Sequence, residues 1–431
     1  METMPGNTSN SVNAIVDHLF RHESGKMVAV LTRIFGVHNL EMAEDVVQEA
    51  FLRATQSWVF NAVPDNPAAW LMQVAKNRAI DIIRRQQHCT RYSKELAHQL
   101  EQETANTVQQ FFSEAEIADS QLRMIFACCH PALKEEDQVA LTLKTVAGFG
   151  IAEIARALVT NEAVIQKRLY RARQLLKEEN IVLEIPAGNE LSRRLESVYT
   201  ILYLLFNEGY NSGKADELIR RDLCAEAMRL CLLLSTHKAG NRPATFALLS
   251  LMCFHASRFE SRVSETNDII LLPGQDRSKW NKELIHRGYY FLEKSSEGEE
   301  LTIYHLESAI AAEHCLAPEF ALTNWQRLLQ LYDMLLAIKP TPQVLLNRAI
   351  VVAQLHSITA AIDEIKQIEN IDHLLRTHYI FPAVLGDLYL RLGDHRQAQP
   401  LLHTAWRLTT SQAEKKLIAE KLERLATNNL N

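Results

Sequence analysis

The feature that most constrains this chain is the scarcity of residues that break helices. Its 431 residues contain 14 glycines and 12 prolines, and its apolar residues recur at helical spacing without the alternating runs that mark half-buried strands. We therefore expect an all-α protein. Because single hydrophobic cores stop growing beyond ~250–300 residues, the length predicts two to four domains.

The composition narrows the class of protein. Hydrophobic residues make up 47% and charged residues 23% of the chain, as in soluble globular proteins. The polar start, residues 1–13, lacks the apolar core of a signal peptide, and the longest apolar stretch, residues 199–206, is too short to span a bilayer. We expect a cytoplasmic protein without a membrane partner.

The cysteines do not form a metal-binding pattern. No CxxC pair occurs among the seven. Adjacent helical residues, such as Cys128, Cys129 and His130, point ~100° apart and chelate one ion poorly. We expect these three to be core or structural residues, and we expect neither a metal nor another cofactor.

The first candidate surface lies on a helix predicted within residues 41–58. Its buried stripe consists of apolar residues at helical spacing: Val47, Ala50, Phe51 and Ala54. A different face carries an exposed apolar residue among acids and an amide: Asp45, Gln48, Glu49 and Leu52. From the residues alone, this face is either an ordinary solvated surface or a docking surface for a protein.

The next helix is predicted over residues 67–87 and becomes basic towards its end. Basic side chains contact phosphates, aromatic rings stack on unpaired bases, and an amide reads a base edge, so the segment has the chemistry of DNA opening. The candidate residues are Trp58, Phe60, Trp70, Asn77, Arg78, Arg84 and Arg85. The alternative is that Trp70 belongs to the core and the arginines are merely solvated.

An acidic linker is predicted at residues 96–119, before a helix-turn-helix within residues 120–180. Residues 151–158 would form the first helix of the pair and residues 162–177 the second. The second helix would meet base edges and phosphates in the major groove through Gln166, Lys167, Arg168, Arg171 and Arg173. The net charge of −6 hides this basic helix because it averages over the acidic linker.

Three sequence blocks resemble bacterial sigma factors, in the order in which those proteins carry them. Residues 43–54 are similar to the helix that binds the polymerase clamp, residues 66–85 to the −10-element helix, and residues 148–173 to the helix-turn-helix that reads the −35 element. The group implied is the extracytoplasmic-function sigma factors. The resemblance implies an alternative sigma factor that binds core RNA polymerase and promoter DNA, recognises both elements and melts the duplex.

The resemblance also implies a role for each block. It assigns Asp45, Gln48 and Glu49 to core polymerase, residues 58–66 with Asn77 to the melted −10 strand, and residues 166–173 to the −35 duplex. The turn before the recognition helix departs from the family pattern, since residues 158–160 are Leu-Val-Thr where a glycine is usual. The expected domains are residues 1–95, which would bind polymerase and the −10 element, and residues 120–180, which would bind the −35 element.

Residues 190–431 are expected to form a helical extension of tetratricopeptide-like repeats. One copy is indicated by Leu385, Gly386, Tyr389, Ala398 and Ala405, and residues 347–361 hold a degenerate second copy. The extension resembles that of a sigma-factor subgroup with a repeat-bearing C-terminal half. This implies that it regulates or supports activity through a regulatory protein or an intramolecular contact. Its polar residues lack nucleophile–base or metal spacing, so we do not expect an enzyme.

Two other functions stay open on the sequence. A helix-turn-helix regulator could bind DNA without being a polymerase subunit, and a repeat scaffold could act without DNA. The acidic face around Asp45 and the helix at residues 77–85 favour the sigma factor, because a simple regulator needs neither. The basic recognition helix counts against the scaffold.

Overall fold

The chain folds into two compact units, residues 1–204 and 205–431. The structure, a computed structural model, describes residues 6–88, 108–158, 160–211, 218–266 and 268–428. Within these residues the β-structure is limited to an isolated bridge between Val263 and Ile269, so the all-α prediction is confirmed. No helix of the described part is long and apolar enough to cross a membrane.

The first unit begins with three helices, α1 (Gly6–Phe35), α2 (Leu40–Asn61) and α3 (Pro67–His88). The apolar pattern did not predict α1, because polar residues dominate its first turns. Its core contacts come from Val12, Val16 and the run of residues 27–31, all of which are buried. At the end of α1, Gly36 adopts a φ of +85°, a left-handed conformation that glycine takes without strain.

After a short helical turn at residues 108–111, the described part of this unit continues with α4 (Glu114–Cys128), α5 (Glu135–Thr145), α6 (Ile151–Ala157) and α7 (Glu162–Glu178). The last two form the predicted helix-turn-helix, and Asn161 Oδ1 caps α7 by accepting the Val164 N–H at 2.9 Å. Residues 114–119 of the predicted linker instead begin α4, where Glu116 and Asp119 pair with Arg33 of α1. Residues 96–107 of that linker lie outside the described residues.

The first compact unit ends within helix α8 (Gly188–Tyr210). The extension was expected from residue 190, yet the first unit continues to Leu204. Arg194 is only 5% exposed and donates a hydrogen bond to the Phe126 carbonyl near the end of α4. Since Leu195, Val198 and Leu202 are also buried, the first half of α8 belongs to the core of the helix-turn-helix module.

The second unit is a succession of helices in which neighbours along the chain pack on each other. Its elements are α9 (Arg221–Thr236), α10 (Pro243–Ala256), α11 (Phe259–Arg262), α12 (Lys282–Ser295), α13 (Ile303–Leu316), α14 (Trp325–Ile338), α15 (Pro342–Leu355), α16 (Ile358–Lys366), α17 (Ile371–Thr377), α18 (Ile380–Leu392), α19 (His395–Leu408) and α20 (Gln412–Asn428).

The predicted repeat copy coincides with α18 and α19. Ala398 and Ala405 are fully buried, and a side chain at Gly386 would press against Leu402, so small residues permit the close packing of the two helices. The helix pair was therefore predicted at the right place. Its assignment to the tetratricopeptide class stays a prediction.

Candidate protein and nucleic-acid interfaces

The outer face of α2 exposes most of the residues predicted for protein docking. Asp45 and Gln48 are exposed, and the Leu52 side chain is 56% exposed. Glu49 differs from them, because its carboxylate pairs with Arg53 at 2.6 Å and with Arg78 of α3 at 2.7 Å. The exposed face therefore consists of Asp45, Gln48 and Leu52, while Glu49 ties α2 to α3.

Two aromatic residues near the end of α2 have opposite surroundings. Trp58 is 2% exposed and meets the Trp70 ring edge-on, with 5.4 Å between ring centroids. The expectation that Trp58 contacts DNA is corrected by this burial, since a base cannot reach the ring. Phe60, by contrast, is 86% exposed. Phe60 and Trp70 line an open cavity of about 450 Å³, together with Gln56 and Asn61.

The outer face of α3 is polar. Asn77 is exposed, and its Oδ1 accepts a hydrogen bond from Gln73 Nε2 at 2.8 Å. Arg85 is exposed and Arg84 is half-buried. Arg78, in its ion pair with Glu49, is less available to DNA than the sequence suggested. Of the cations predicted for this helix, Arg78 therefore pairs with a residue of α2, whereas Arg84 and Arg85 lie near the end of α3.

The recognition helix α7 presents a narrow exposed face. Gln166 and Lys167 are exposed, and Tyr170 is 65% exposed. Tyr170 was not among the predicted contacts, although its spacing of four residues from Gln166 places both on one helical face. The ring of Tyr170 is suited to apolar contact with a base edge, the amide of Gln166 to hydrogen bonds with it, and the ammonium of Lys167 to phosphate binding.

The other three predicted cations of α7 face carboxylates. Arg171 donates to Asp137, which is 2% exposed, through Nε at 2.6 Å and through Nη2. These hydrogen bonds are the main cause of a raised pKa at Arg171. Arg168 lies 3.3 Å from Glu136. Arg168, Arg171 and Arg173 were all predicted to contact the −35 duplex. In this conformation the charge of each is paired with a carboxylate of the protein.

Arg173 shows the strongest departure from expectation. Its guanidinium pairs with Glu44 of α2 at 2.6 Å, and the two side chains are only 19% and 12% exposed. The physical reason is that α7 contacts the turn Val37–Asn39 between α1 and α2, which brings Arg173 within reach of Glu44.

The second unit contains a buried polar cluster that the sequence did not reveal. Arg258 donates to Tyr210 Oη and pairs with His255 Nδ1, both at 2.8 Å, and Arg277 donates to the His314 carbonyl. Burial, with the nearby charges of Arg258 and Arg277, lowers the pKa of His314 to about 3. These contacts are those of a packed core, in which the imidazole stays neutral.

Cys128 and Cys129, the adjacent cysteines considered above as metal ligands, are also core residues. Cys128 and Cys129 are buried as expected, and Cys128 Sγ lies 3.2 Å from Thr145 Oγ1. Burial raises the pKa of the Cys128 thiol to about 12, which keeps it protonated and a poor ligand. Within the described residues, no group of three or more His, Cys, Asp or Glu side chains is arranged to hold a metal ion.

Comparison with known proteins assigns three segments to families. Residues 19–89 match Sigma-70 region 2, residues 123–176 match Sigma-70 region 4, and residues 194–296 match a family of unknown function, DUF6596. The first segment contains α2 and α3, and the second contains the helix-turn-helix. The third begins at Arg194, inside the first compact unit.

Individual relatives agree with this division. An uncharacterised protein of Rhizobium meliloti (strain 1021) is 33% identical over 93% of both chains. The ECF RNA polymerase sigma factor SigK of Mycobacterium ulcerans is 22% identical over 39% of this chain and 94% of its own length. The corresponding values for the ECF RNA polymerase sigma factor SigM of Bacillus subtilis are 30%, 32% and 78%. No solved structure gives a significant match.

Proposed function

We propose that this chain, which belongs to the extracytoplasmic-function sigma factors and carries a DUF6596 extension, binds core RNA polymerase through Asp45, Gln48 and Leu52. It is an alternative sigma factor, a class of protein that initiates transcription. The observation that carries the proposal is the exposed face of α2, where an apolar side chain stands beside an acid and an amide. A surface of that kind suits a mixed polar and apolar protein interface.

The −10 strand is proposed to bind at the junction of α2 and α3. Phe60 offers an exposed ring on which an unpaired base can stack, and the cavity beside it has room for a base. Asn77 and Arg85 on the exposed side of α3 would hold the strand through an amide and a phosphate contact. The Trp58 ring packs edge-on against the Trp70 ring and so fixes the position of Trp70 in this surface.

The −35 duplex is proposed to meet the exposed face of α7. Gln166, Lys167 and Tyr170 would reach base edges and phosphates, because they are exposed near the start and middle of the recognition helix. Arg168 and Arg171 would position the helix through their carboxylate partners on α5. The chain thus acts by binding and positioning, without a reaction of its own.

The extension is proposed to support activity from within the chain. The first half of α8 completes the core of the helix-turn-helix module, and Arg194 satisfies a carbonyl of α4. A change in the remainder of the extension, caused by a regulatory protein, would reach the helix-turn-helix module through this helix.

Run-off transcription with core RNA polymerase and fragments of the host genome tests the proposal. The wild-type chain should give discrete, promoter-dependent transcripts. Asp45→Ala combined with Gln48→Ala should weaken core binding without lowering the unfolding midpoint, since both side chains are exposed. Asp17→Ala, at an exposed acid of α1, is the matched control and should bind core normally.

Two results would refute this function. Failure of the wild-type chain both to bind core polymerase and to direct transcripts would exclude a sigma factor. Specific DNA binding without any core binding would instead favour the helix-turn-helix regulator.

A further inference from the structure

A cavity of about 330 Å³ lies inside the second unit. Asn211 and Arg262, from the segment that matches DUF6596, contribute to its lining. Tyr379, Thr409 and Glu414, from the last helices and the turns that join them, contribute the other side. Pockets for small ligands measure ~300–1,000 Å³, so this one, called the Arg262 cavity below, has the size for a small molecule.

The cation of the Arg262 cavity is held by neutral groups. Arg262 donates to the Tyr210 carbonyl at 2.7 Å and to Asn211 Oδ1 at 3.0 Å, and its guanidinium lies over the Tyr210 ring at 3.6 Å from the centroid. Among the described residues, no carboxylate forms an ion pair with it. Burial lowers the pKa of Arg262. Since buried charges are normally paired and a guanidinium has five N–H donors, Arg262 can bind an anionic group in the cavity.

The anion of the Arg262 cavity is also held by neutral groups. Glu414, in the first turn of α20, accepts hydrogen bonds from the hydroxyls of Tyr379 and Thr409, one on each carboxylate oxygen. Burial raises the pKa of Tyr379, so this phenol keeps its proton and remains a donor. In the part of the chain that the structure describes, no cation pairs with Glu414. A carboxylate has about four acceptor sites, so Glu414 can accept further bonds from an ammonium group.

Arg262 and Glu414 line one cavity but do not form an ion pair with each other. A ligand with only a negative charge would be attracted by Arg262 and repelled by Glu414, and a cation would meet the reverse. A zwitterion with its carboxylate at Arg262 and its ammonium group at Glu414 satisfies both, through charge-assisted hydrogen bonds that are roughly twice as strong as neutral ones. The charges of the cavity therefore favour a molecule that carries both.

The apolar part of the lining indicates the character of the ligand's side chain. Leu218 and Ile219 are buried against Ala413 of α20, and Val263 and Ile269 pack on them. All of these except Ala413 line the Arg262 cavity, so aliphatic surface lies beside the two charges. Such a surface gains free energy from burying hydrocarbon and offers no hydrogen bond to a polar side chain.

We infer that the Arg262 cavity binds a free amino acid, with its carboxylate on Arg262, its ammonium group on Glu414 and an aliphatic side chain against Leu218 and Ile269. Thr410 lines the same cavity and is exposed, so the ligand reaches it from solvent. Because the ligand contacts both the DUF6596 segment and α20, its binding stabilises the second unit. The inference does not depend on the proposed function, since neither polymerase nor DNA takes part in this binding.

Isothermal titration calorimetry of the full chain tests the site. The probes are L-leucine, L-isoleucine and L-valine, each with the carboxylic acid that lacks its ammonium group and the amine that lacks its carboxylate. At least one amino acid should bind, with one molecule per chain. Its acid and its amine should each bind about 10–100-fold more weakly, because each loses a charged hydrogen bond and leaves one charge of the cavity unpaired.

Two variants should exchange these preferences. Glu414→Gln keeps an acceptor for Tyr379 and Thr409 but removes the charge, so the acid should bind at least as tightly as the amino acid. Arg262→Gln should favour the amine for the same reason. Glu420→Gln, the same change at an exposed carboxylate of α20, is the matched control and should bind like wild type. A merely structural role of Glu414 would weaken all three kinds of probe alike.

Three results would overturn the inference. The first is the absence of both binding heat and a rise in the melting temperature of the second unit with millimolar amounts of each amino acid. The second is an acid or amine that binds the wild-type chain as tightly as its amino acid. The third is an unchanged order of preference in Glu414→Gln. The acids and amines test the charges on the unaltered chain, so they decide the matter even if Arg262→Gln does not fold.

Discussion

Replacement of Arg171 by alanine tests whether this cation serves the fold or the DNA. Asp137 is 2% exposed and receives two hydrogen bonds from Arg171, so the change leaves a buried carboxylate without its partner. Breaking a buried pair from one side costs about 3–5 kcal/mol. The position of Asp137 in the first turn of α5 returns about 0.3–1 kcal/mol through the helix dipole. Because Arg171 is itself 40% exposed, we expect a loss of about 3 kcal/mol.

The assay must report on the first unit alone. Hydrogen exchange of peptides from residues 135–178, followed by mass spectrometry, should show faster exchange in Arg171→Ala. For a unit of this size, each kcal/mol of lost stability lowers the melting temperature by about 2–4 °C. The melting temperature of the first unit should therefore fall by roughly 6–12 °C in Arg171→Ala. Lys167→Ala is the control, since Lys167 is exposed on the same helix and should weaken binding to duplex DNA without changing exchange.

The double variant Asp137→Asn with Arg171→Gln should recover part of the stability, because no unpaired charge is left in the core. The reasoning fails if Arg171→Ala exchanges like wild type yet loses affinity for duplex DNA. Arg171 would then be a DNA contact, and its bond to Asp137 would contribute nothing to the fold.

Two further predictions concern the −10 surface and the extension. Phe60→Ala should reduce promoter opening about tenfold, measured by 2-aminopurine fluorescence at the −10 element, because base stacking on a ring contributes ~1–3 kcal/mol. Phe60→Tyr should open normally, and a normal Phe60→Ala would exclude the stacking role. The lowered pKa of His314 means that the neutral ring is favoured in the folded state, so stability is complete above pH ~6.5 and is lost as the pH falls towards 3. His314→Gln should flatten this acid dependence by about 1 kcal/mol per pH unit in the denaturant unfolding of the second unit, and an unchanged slope would refute it.

The sequence predicted best where periodicity alone decides the outcome. The stripe of Val47, Ala50, Phe51 and Ala54 is buried in α2, and the separate face with Asp45 and Leu52 is exposed. A helix has one repeat, so the spacing of apolar residues fixes both faces at once. The same reasoning located α3 and the helix-turn-helix.

The sequence failed where a side chain meets a partner on a distant element. Arg173 belongs to a basic helix, and nothing in that helix indicates that Glu44 lies opposite. Trp58 is similar, because an aromatic residue at a helix end can be exposed, as Phe60 is, or buried, as Trp58 is. Charge and ring chemistry identify what a residue can bind, and tertiary packing decides whether it is free to do so.

The place of Arg194 bears on the order in which the chain becomes functional during synthesis. Helices α1 to α3 are complete at His88 and can fold early, since domains form from the N-terminus as they leave the ribosome. The helix-turn-helix module has to wait for α8, because Arg194, Leu195 and Val198 fill its core from beyond its last predicted residue. The ribosome is therefore already making the extension when the core of the helix-turn-helix module is completed. A chain that stops before α8 would lack the residues that close the core of the helix-turn-helix module.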